Sequence, residues 1–277
     1  MITEQRVRAN GVDLALWRRE GDGPLLVFAH ATSFHGRCWD QVIRRLPGRR
    51  ILAPDARGHG RSDKPAPPYH WKTFAEDLAA LDIEGAIGIG HSMGGYVVAA
   101  AAALRPGIFR SLLLIDPTIF APEHYGPRED WGFVARRRAH WKSWEEMFER
   151  FKDRPPFATW DPLVLRDYCR YGMLDDGRLA CPPEIEASIY TEANALAARF
   201  DLGAVDIPVT VVRAGHPWVP GEKYLGASPT DPCLAARFPN ARDLLLADRN
   251  HYLPMESPEL IATLSDQIAT TAGFAHL

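Results

Sequence analysis

Short apolar runs of strand length alternate with helical segments along most of this 277-residue chain. The runs are "GPLLVFAHA", "RRILAPDARG", "AIGIGHS", "SLLLIDP", "IPVTVVRAG" and "RDLLLAD", and the earlier "VDLALWRRE" alternates in the manner of a half-buried strand. Segments such as "WKTFAEDLAALDIEG" and "SPELIATLSDQIATTAG" have the apolar spacing of amphipathic helices. Strands that alternate with helices predict an α/β protein with a mainly parallel central sheet flanked by helices.

The alternation breaks once. Between about Pro117 and Arg199 there is no strand run, and the segments are helical and rich in Arg, Trp and Glu, as in "WGFVARRRAHWKSWEEMFERFKDR". We interpret this stretch as a helical insertion that sits on the sheet.

One serine is surrounded by glycines in the motif Gly90-His91-Ser92-Met93-Gly94, between the predicted strand "AIGIG" and the small apolar helix "GGYVVAAAAALRP". A sharp strand-to-helix turn exposes a serine hydroxyl above a sheet edge and leaves no room for side chains two residues before and after it. The N-terminus of the following helix favours a developing negative charge. The pattern therefore indicates a nucleophilic serine.

Composition excludes several classes of protein. A net charge of −3 and a pI near 6.4 give no basic surface for nucleic acid or an anionic membrane. No run of about 18 apolar residues occurs, so we expect no membrane span. The four cysteines are scattered and the start "MITEQRVRANG" lacks the apolar stretch of a signal peptide. We expect reduced thiols in a cytoplasmic monomer or homodimer, with no nucleic-acid or membrane partner.

The motifs together resemble those of the α/β-hydrolase family over nearly the whole chain. The resemblance rests on "FAHATSFHGRCWDQVI", "PDARGHGRSDKP", "GHSMGG" and "DRNHYLPMESPE". It implies an α/β-hydrolase fold with a helical cap inserted after the sixth strand. Residues 118–199 would form the cap, and residues 1–117 and 200–277 would form the core. A serine at the nucleophile position argues against the haloalkane dehalogenase and epoxide hydrolase branches, which use aspartate.

The resemblance also implies partners for the serine, whose hydroxyl is inert until a base takes its proton. It implies His251, on the loop after the last strand, as that base. An oxyanion hole needs two backbone N–H groups, and the resemblance places them at Met93 and Thr32. Ala31 stands where the family usually has glycine, so Ala31 and Ser33 remain alternatives to Thr32.

The acid departs from the usual family pattern. The family usually places it after "IPVTVVRAG", but here the next residues, "HPWVPGEKY", contain no carboxylate before Glu222. Some members take the acid from the end of the preceding strand, which in this chain is Asp116. We expect Asp116 to be the acid, with Glu222 and the lack of any functional acid as the alternatives.

Large apolar side chains in the insertion are expected to pack mostly on one another, while a few line an apolar pocket. The eight are Trp131, Phe133, Trp141, Trp144, Phe148, Phe151, Phe157 and Trp160. We select Trp144 and Phe148 as substrate-binding candidates, together with His30 and Ser33, although His30 could instead brace its own loop. The run Arg136–Arg138 is a solvated helix face or, alternatively, binds a carboxylate on the substrate.

These expectations combine into one activity. The chain is predicted to be a serine hydrolase that cleaves a carboxylic ester or lactone of an apolar small molecule through a covalent acyl-enzyme, without a cofactor or metal. One alternative is hydrolysis of a carbon–carbon bond in a diketone-like compound. Another is a ligand-binding, receptor-like member of the family with slow turnover.

Overall fold

The computed structural model of the protein describes residues 1–126, 131–193, 195, 198–216 and 226–274. In this part of the chain one sheet contains eight strands, β1 (Thr3–Ala9), β2 (Val12–Arg19), β3 (Asp22–Ala29), β4 (Arg49–Pro54), β5 (Ala86–His91), β6 (Phe109–Ile115), β7 (Val209–Ala214) and β8 (Ala241–Leu246). The α-helices are α1 (Asp40–Ile43), α2 (Trp71–Ala79), α3 (Met93–Leu104), α4 (Gly132–Ala135), α5 (Trp144–Phe151), α6 (Pro162–Tyr171), α7 (Pro183–Ala193), α8 (Leu253–Glu256) and α9 (Pro258–Phe274). No helix of the described ranges is long and apolar enough to cross a membrane.

The strand order across the sheet is β1-β2-β4-β3-β5-β6-β7-β8. β2 pairs antiparallel with β1 and β4, and all other neighbours pair in parallel. This confirms the predicted α/β-hydrolase fold with its mainly parallel sheet. The sequence analysis did not predict β1, because "TEQRVRA" is an edge strand whose residues are mostly polar and exposed.

Helices cover the central strands on both faces. Leu112 and Leu114 of β6 pack in one hydrophobic cluster with α2 and α3, whereas Leu113 and Ile115 pack in a second cluster with α1 and α9. All four side chains are buried, and complete burial of such a side chain contributes about 1.5–3 kcal/mol. Because both faces of the central strands are buried, their sequences are continuous apolar runs, and this packing fixes the position of the strand ends.

The carboxyl ends of the parallel strands meet at one edge of the sheet, where open α/β folds bind their ligands. The loops after β3, β5, β6 and β8 all open at this edge. They carry Thr32, Ser92, Asp116 and His251, respectively.

Helices α4 to α7 lie between β6 and β7 in the chain, within residues 118–199, the stretch predicted to be a helical insertion. Its side chains form a third hydrophobic cluster, in which Trp141 and Trp160 pack with Phe34 and Met255 from outside the insertion. The insertion thus lies against the loop after β3 and against α8.

Candidate active site

Ser92 sits at a strained turn between β5 and α3. Its backbone has φ 57° and ψ −120°, a conformation that costs about 1–3 kcal/mol for a residue other than glycine. Its N–H donates to the Ile115 carbonyl at 3.1 Å, and its carbonyl accepts from the N–H groups of Gly95 and Thr118, both at 3.0 Å. These bonds hold the turn in place from β6 and α3 together.

The glycines around Ser92 are required by close approach of the backbone. A Cβ at Gly90 would lie 2.2 Å from the Gly94 carbonyl oxygen, and one at Gly94 would lie 2.1 Å from the Ala29 carbonyl oxygen. A Cβ at Gly95 would lie 2.6 Å from Cβ of Pro117. Since none of the three has a positive φ, the reason for glycine is space.

Ser92, His251 and Asp116 form a continuous chain of hydrogen bonds. Ser92 Oγ lies 3.0 Å from Nε2 of His251, and Nδ1 of His251 lies 2.6 Å from Oδ2 of Asp116. An ionised carboxylate only accepts hydrogen bonds, so the proton is on Nδ1, and Nε2 accepts from the serine. Among the described residues, here or elsewhere, no group of three or more His, Cys, Asp or Glu side chains could hold a metal ion.

Asp116 is completely buried, but its charge has several donors. Oδ1 accepts from the Ala214 N–H at 2.9 Å and from Ser228 Oγ at 2.6 Å, and Thr230 Oγ1 lies 3.3 Å away. Burial by itself raises the pKa of Asp116, but the hydrogen bond and charge of His251, with the Ser228 and Ala214 bonds, outweigh it and lower the pKa below 3.8. Asp116 is therefore a charged partner for the imidazole at neutral pH.

Ser228 and Thr230 are site residues that the sequence analysis missed. They follow β7, in the region where the family usually carries its acid. Here Ser228 donates to an acid that follows β6, and Thr230 donates to the Pro117 carbonyl beside that acid. The signal in the sequence that could have pointed to them was the lack of a carboxylate directly after β7. Glu222, the alternative acid, lies outside the described residues.

The two predicted oxyanion donors lie on loops that touch, since Thr32 Oγ1 is 3.5 Å from Sδ of Met93. Of the residues that the structure describes, none accepts a hydrogen bond from the backbone N–H of Thr32 or Met93. The Ser33 N–H, by contrast, donates to Nε2 of His59 at 3.1 Å. Its bond to the ring favours Thr32 over Ser33 as the second donor.

The contacts of His30 favour the bracing role over the substrate-binding role, which stays a prediction. Its Nε2 accepts from the Ala56 N–H at 2.9 Å, and its Nδ1 donates to the Ala31 carbonyl at 2.8 Å. The side chain is buried, and burial lowers its pKa. Both ring nitrogens are thus used by the backbone, and His30 braces the loops after β3 and β4.

His91 positions the loop that carries His251. Its Nε2 lies 2.7 Å from the His251 carbonyl oxygen, and the two rings are 4.9 Å apart. Burial, followed by the nearby charge of His251, lowers the pKa of His91 to about 3. His91 therefore stays neutral over the ordinary pH range and donates its Nε2–H to that carbonyl.

The arginine run is paired with carboxylates. Arg137 Nη1 donates to Oε1 of the buried Glu186 at 2.8 Å, and Arg138 Nη2 lies 2.9 Å from Oε1 of Glu146. Burial raises the pKa of Glu186, and the charge of Arg137 and the Ser33 hydroxyl only partly oppose it. Ser33 is thus linked to the insertion, and two of the three arginines are already neutralised.

The aromatic side chains beside His251 differ from those selected in the sequence. The Tyr252 ring is 5.8 Å from the His251 ring and 5.4 Å from the Trp160 ring. Trp144 and Phe148 are half-buried against the third hydrophobic cluster. Among the described ring contacts, none joins Trp144 or Phe148 to His251, whereas Tyr252 contacts it and Trp160 packs against Tyr252.

Comparison with known proteins gives consistent relatives. A model described as "Alpha/beta hydrolase family" matches residues 26–264. The chain is 38% identical over 275 residues to lipase LipV of Mycobacterium tuberculosis, covering 91% of this chain and 96% of that protein. It is 38% identical over 258 residues to 2-(acetamidomethylene)succinate hydrolase of Mesorhizobium japonicum, covering 88% and 87%. A thermophilic esterase structure from Thermogutta terrifontis superposes with TM-score 0.70 at 21% identity, covering 98% and 99% of the two chains.

Proposed function

Because this chain belongs to the α/β-hydrolase family, we propose that it is a serine hydrolase that cleaves a carboxylic ester or lactone of an apolar small molecule. The observation that carries the proposal is the unbroken chain of hydrogen bonds from Ser92 through His251 to Asp116. Such a chain activates a serine hydroxyl for nucleophilic attack.

In the proposed first step, Nε2 of His251 takes the Ser92 proton while Oγ attacks the carbonyl carbon. The imidazolium that forms is stabilised by Asp116, which keeps its negative charge. The carbonyl oxygen becomes an oxyanion and accepts hydrogen bonds from the backbone N–H groups of Met93 and Thr32. Removing one such donor in a serine hydrolase costs about 2.7–4 kcal/mol.

The leaving alcohol then takes the proton from His251, and the acyl group remains on Ser92. In the second half, His251 takes a proton from water, which attacks the acyl carbon through the same oxyanion site. Collapse of the intermediate returns the proton to Ser92 and releases the acid. No residue changes its oxidation state, and every proton returns to its starting atom or leaves with a product.

The substrate is proposed to be apolar for two reasons. The Tyr252 ring lies beside His251, and Arg137 and Arg138 are already paired with carboxylates. Residues 118–199 would act as the cap over the site, and residues 1–117 with 200–277 would form the catalytic core. Tyr252 and Trp160 then supply the pocket wall, and a lipase relative at 38% identity is in keeping with an ester substrate.

A second candidate is hydrolysis of a bond other than an ester bond, namely a carbon–carbon bond in a diketone-like compound. The relative named 2-(acetamidomethylene)succinate hydrolase motivates it. That name denotes a dicarboxylate, whereas Arg137 and Arg138 of this chain already pair with Glu186 and Glu146. The pairing favours the ester or lactone.

A substrate panel tests both candidates and the receptor alternative. Purified protein is mixed with p-nitrophenyl esters of increasing chain length, lactones and diketones, and with Ser92→Ala as the control. We expect a burst of nitrophenol equal to the enzyme concentration, followed by steady turnover, and neither with Ser92→Ala. Diketone cleavage without ester cleavage would support the second candidate. Binding without turnover would support a receptor.

A further inference from the structure

A second hydroxyl touches the nucleophile. Oγ1 of Thr118 lies 3.1 Å from Oγ of Ser92, nearly as close as Nε2 of His251 at 3.0 Å. The Thr118 side chain is buried, and its backbone N–H donates to the Ser92 carbonyl at 3.0 Å. Thr118 therefore holds Ser92 at two points, one of them the reacting atom.

The direction of the hydroxyl–hydroxyl bond follows from the rest of the network. Asp116 is ionised and accepts from Nδ1 of His251, so Nε2 of that ring has no proton and must accept. Ser92 has one hydroxyl proton, which goes to Nε2. In the contact with Thr118, the threonine must therefore be the donor and Ser92 Oγ the acceptor.

We propose that Thr118 is a further catalytic residue, which donates a hydrogen bond to Ser92 Oγ and stabilises the negative charge that develops there during attack. This inference rests on the proposed function. Thr118 keeps its own proton throughout, while the Ser92 proton moves to His251. A hydrogen bond to a charged acceptor is stronger than one to a neutral acceptor, so the bond strengthens as the charge appears.

The position of the acid makes this contact possible. Asp116, Pro117 and Thr118 form one turn at the end of β6, in which Asp116 has φ 42°. Thr230 braces the turn by donating from Oγ1 to the Pro117 carbonyl at 2.8 Å. An acid that follows β6 thus brings the residue two positions later against the nucleophile, on the same rigid segment.

The test measures the reactivity of Ser92 with a fluorophosphonate, which reports the nucleophilic step without requiring a known substrate. Thr118→Val removes the hydroxyl and keeps the branched shape, whereas Thr118→Ser keeps the hydroxyl. We expect Thr118→Val to lower the second-order inactivation rate about 10-fold, which corresponds to about 1.4 kcal/mol. Thr118→Ser should stay within about 3-fold of the parent, or below about 0.7 kcal/mol.

Three outcomes decide the matter. Normal inactivation of Thr118→Val, with Ser92→Ala inert, would overturn the role of Thr118 and leave the proposed function intact. Equal losses in Thr118→Val and Thr118→Ser, with lowered thermal midpoints in both, would assign Thr118 a structural role only. Continued labelling of Ser92→Ala at the same rate would overturn the proposed function itself.

Discussion

Asp116 lies 2.6 Å from His251 although the two residues are 135 positions apart and the aspartate follows β6, not β7. The usual place for the acid in this family is one strand further along the sheet. In this chain that later segment supplies the Ser228 hydroxyl, which donates to the same carboxylate, and Thr230, whose hydroxyl braces the turn that carries it. The two strands thus divide the work, since one carries the charge and the other supplies donors to it.

The acid assignment predicts that Asp116→Asn lowers the turnover number for ester hydrolysis at least ~100-fold, with KM nearly unchanged. The amide holds the wrong imidazole tautomer and cannot stabilise the imidazolium, and the corresponding change in a serine protease costs about 10⁴-fold. Steady-state kinetics on the best ester of the panel measures it. Glu222→Gln tests the alternative acid and should lose less than ~10-fold when Asp116 is the acid. Near-normal turnover in Asp116→Asn would exclude the early-strand acid.

Removal of one donor to Asp116 should change how stability depends on pH. The pKa of Asp116 is lowered in the folded protein, so its ionised form stabilises the fold above pH 3.8, and this contribution is lost as the pH falls through the lower folded-state pKa. Ser228→Ala raises that pKa towards its ordinary value. We expect the free energy of unfolding to fall by about 1–3 kcal/mol at pH 7, and this loss should become smaller as Asp116 is protonated at low pH.

Urea unfolding of the parent and Ser228→Ala at neutral pH and at several pH values below 3.8 provides the measurement, because the contribution of Asp116 is lost in that range. Ser228→Thr keeps a hydroxyl at the position and serves as the control. A stability difference that is the same at every pH would show that Ser228 acts through packing and not through the charge of Asp116.

The Arg137–Glu186 pair predicts a pH dependence of the opposite sign. Burial raises the pKa of Glu186 even with Arg137 beside it, so its ionised form lowers stability at neutral pH, and removal of Arg137 increases that cost. Arg137→Met should lower stability at pH 7 by about 1–3 kcal/mol, the cost of a buried acceptor without its partner. Stability should return as the pH falls through the raised pKa and Glu186 becomes neutral.

Thermal midpoints of Arg137→Met from pH 8 to pH 5 measure this effect. In the double variant Arg137→Met/Glu186→Gln the carboxylate is absent, so the midpoint should recover at pH 7 and lose its extra pH dependence. A midpoint of Arg137→Met that follows the parent at every pH would contradict the prediction.

The close approach of the backbone at Gly94 predicts a strong effect of a single methyl group. Gly94→Ala would place Cβ 2.1 Å from the Ala29 carbonyl oxygen, so the elbow and the loop after β3 must separate. We expect a loss of about 1–3 kcal/mol or more, typical of overpacking, and lower esterase activity per folded molecule. Gly126→Ala, where Cβ meets nothing within 4 Å, is the control and should leave the thermal midpoint nearly unchanged.

Residues that belong to contiguous patterns could be predicted from the sequence, and contacts between distant side chains could not. Ser92, Asp116 and His251 each directly follow or lie close to the end of an apolar run, so the parallel sheet brings their loops to one edge. Thr118 and Ser228 carry no such signal, because a hydroxyl acquires a role only when two loops have met.

The choice between the two roles of His30 could not be made from the sequence, for a related reason. Its position after β3 places it near the site, but the direction of its ring depends on the Ala56 N–H, which comes from the loop after β4. The aromatic residues of the insertion show the same difficulty. Their number indicates a packed apolar cluster, but helix periodicity does not distinguish Trp144, which packs on that cluster, from Trp160, which reaches Tyr252 beside the histidine.

The contact between Gly94 and the Ala29 carbonyl joins the two oxyanion loops through main-chain atoms alone. A substitution that changes only side chains in residues 118–199 therefore leaves the spacing between those loops intact. For protein engineering, this separates two design problems under the proposed cap role: a library confined to the insertion, with Thr118 kept, can vary which compounds enter without changing the spacing of the oxyanion loops.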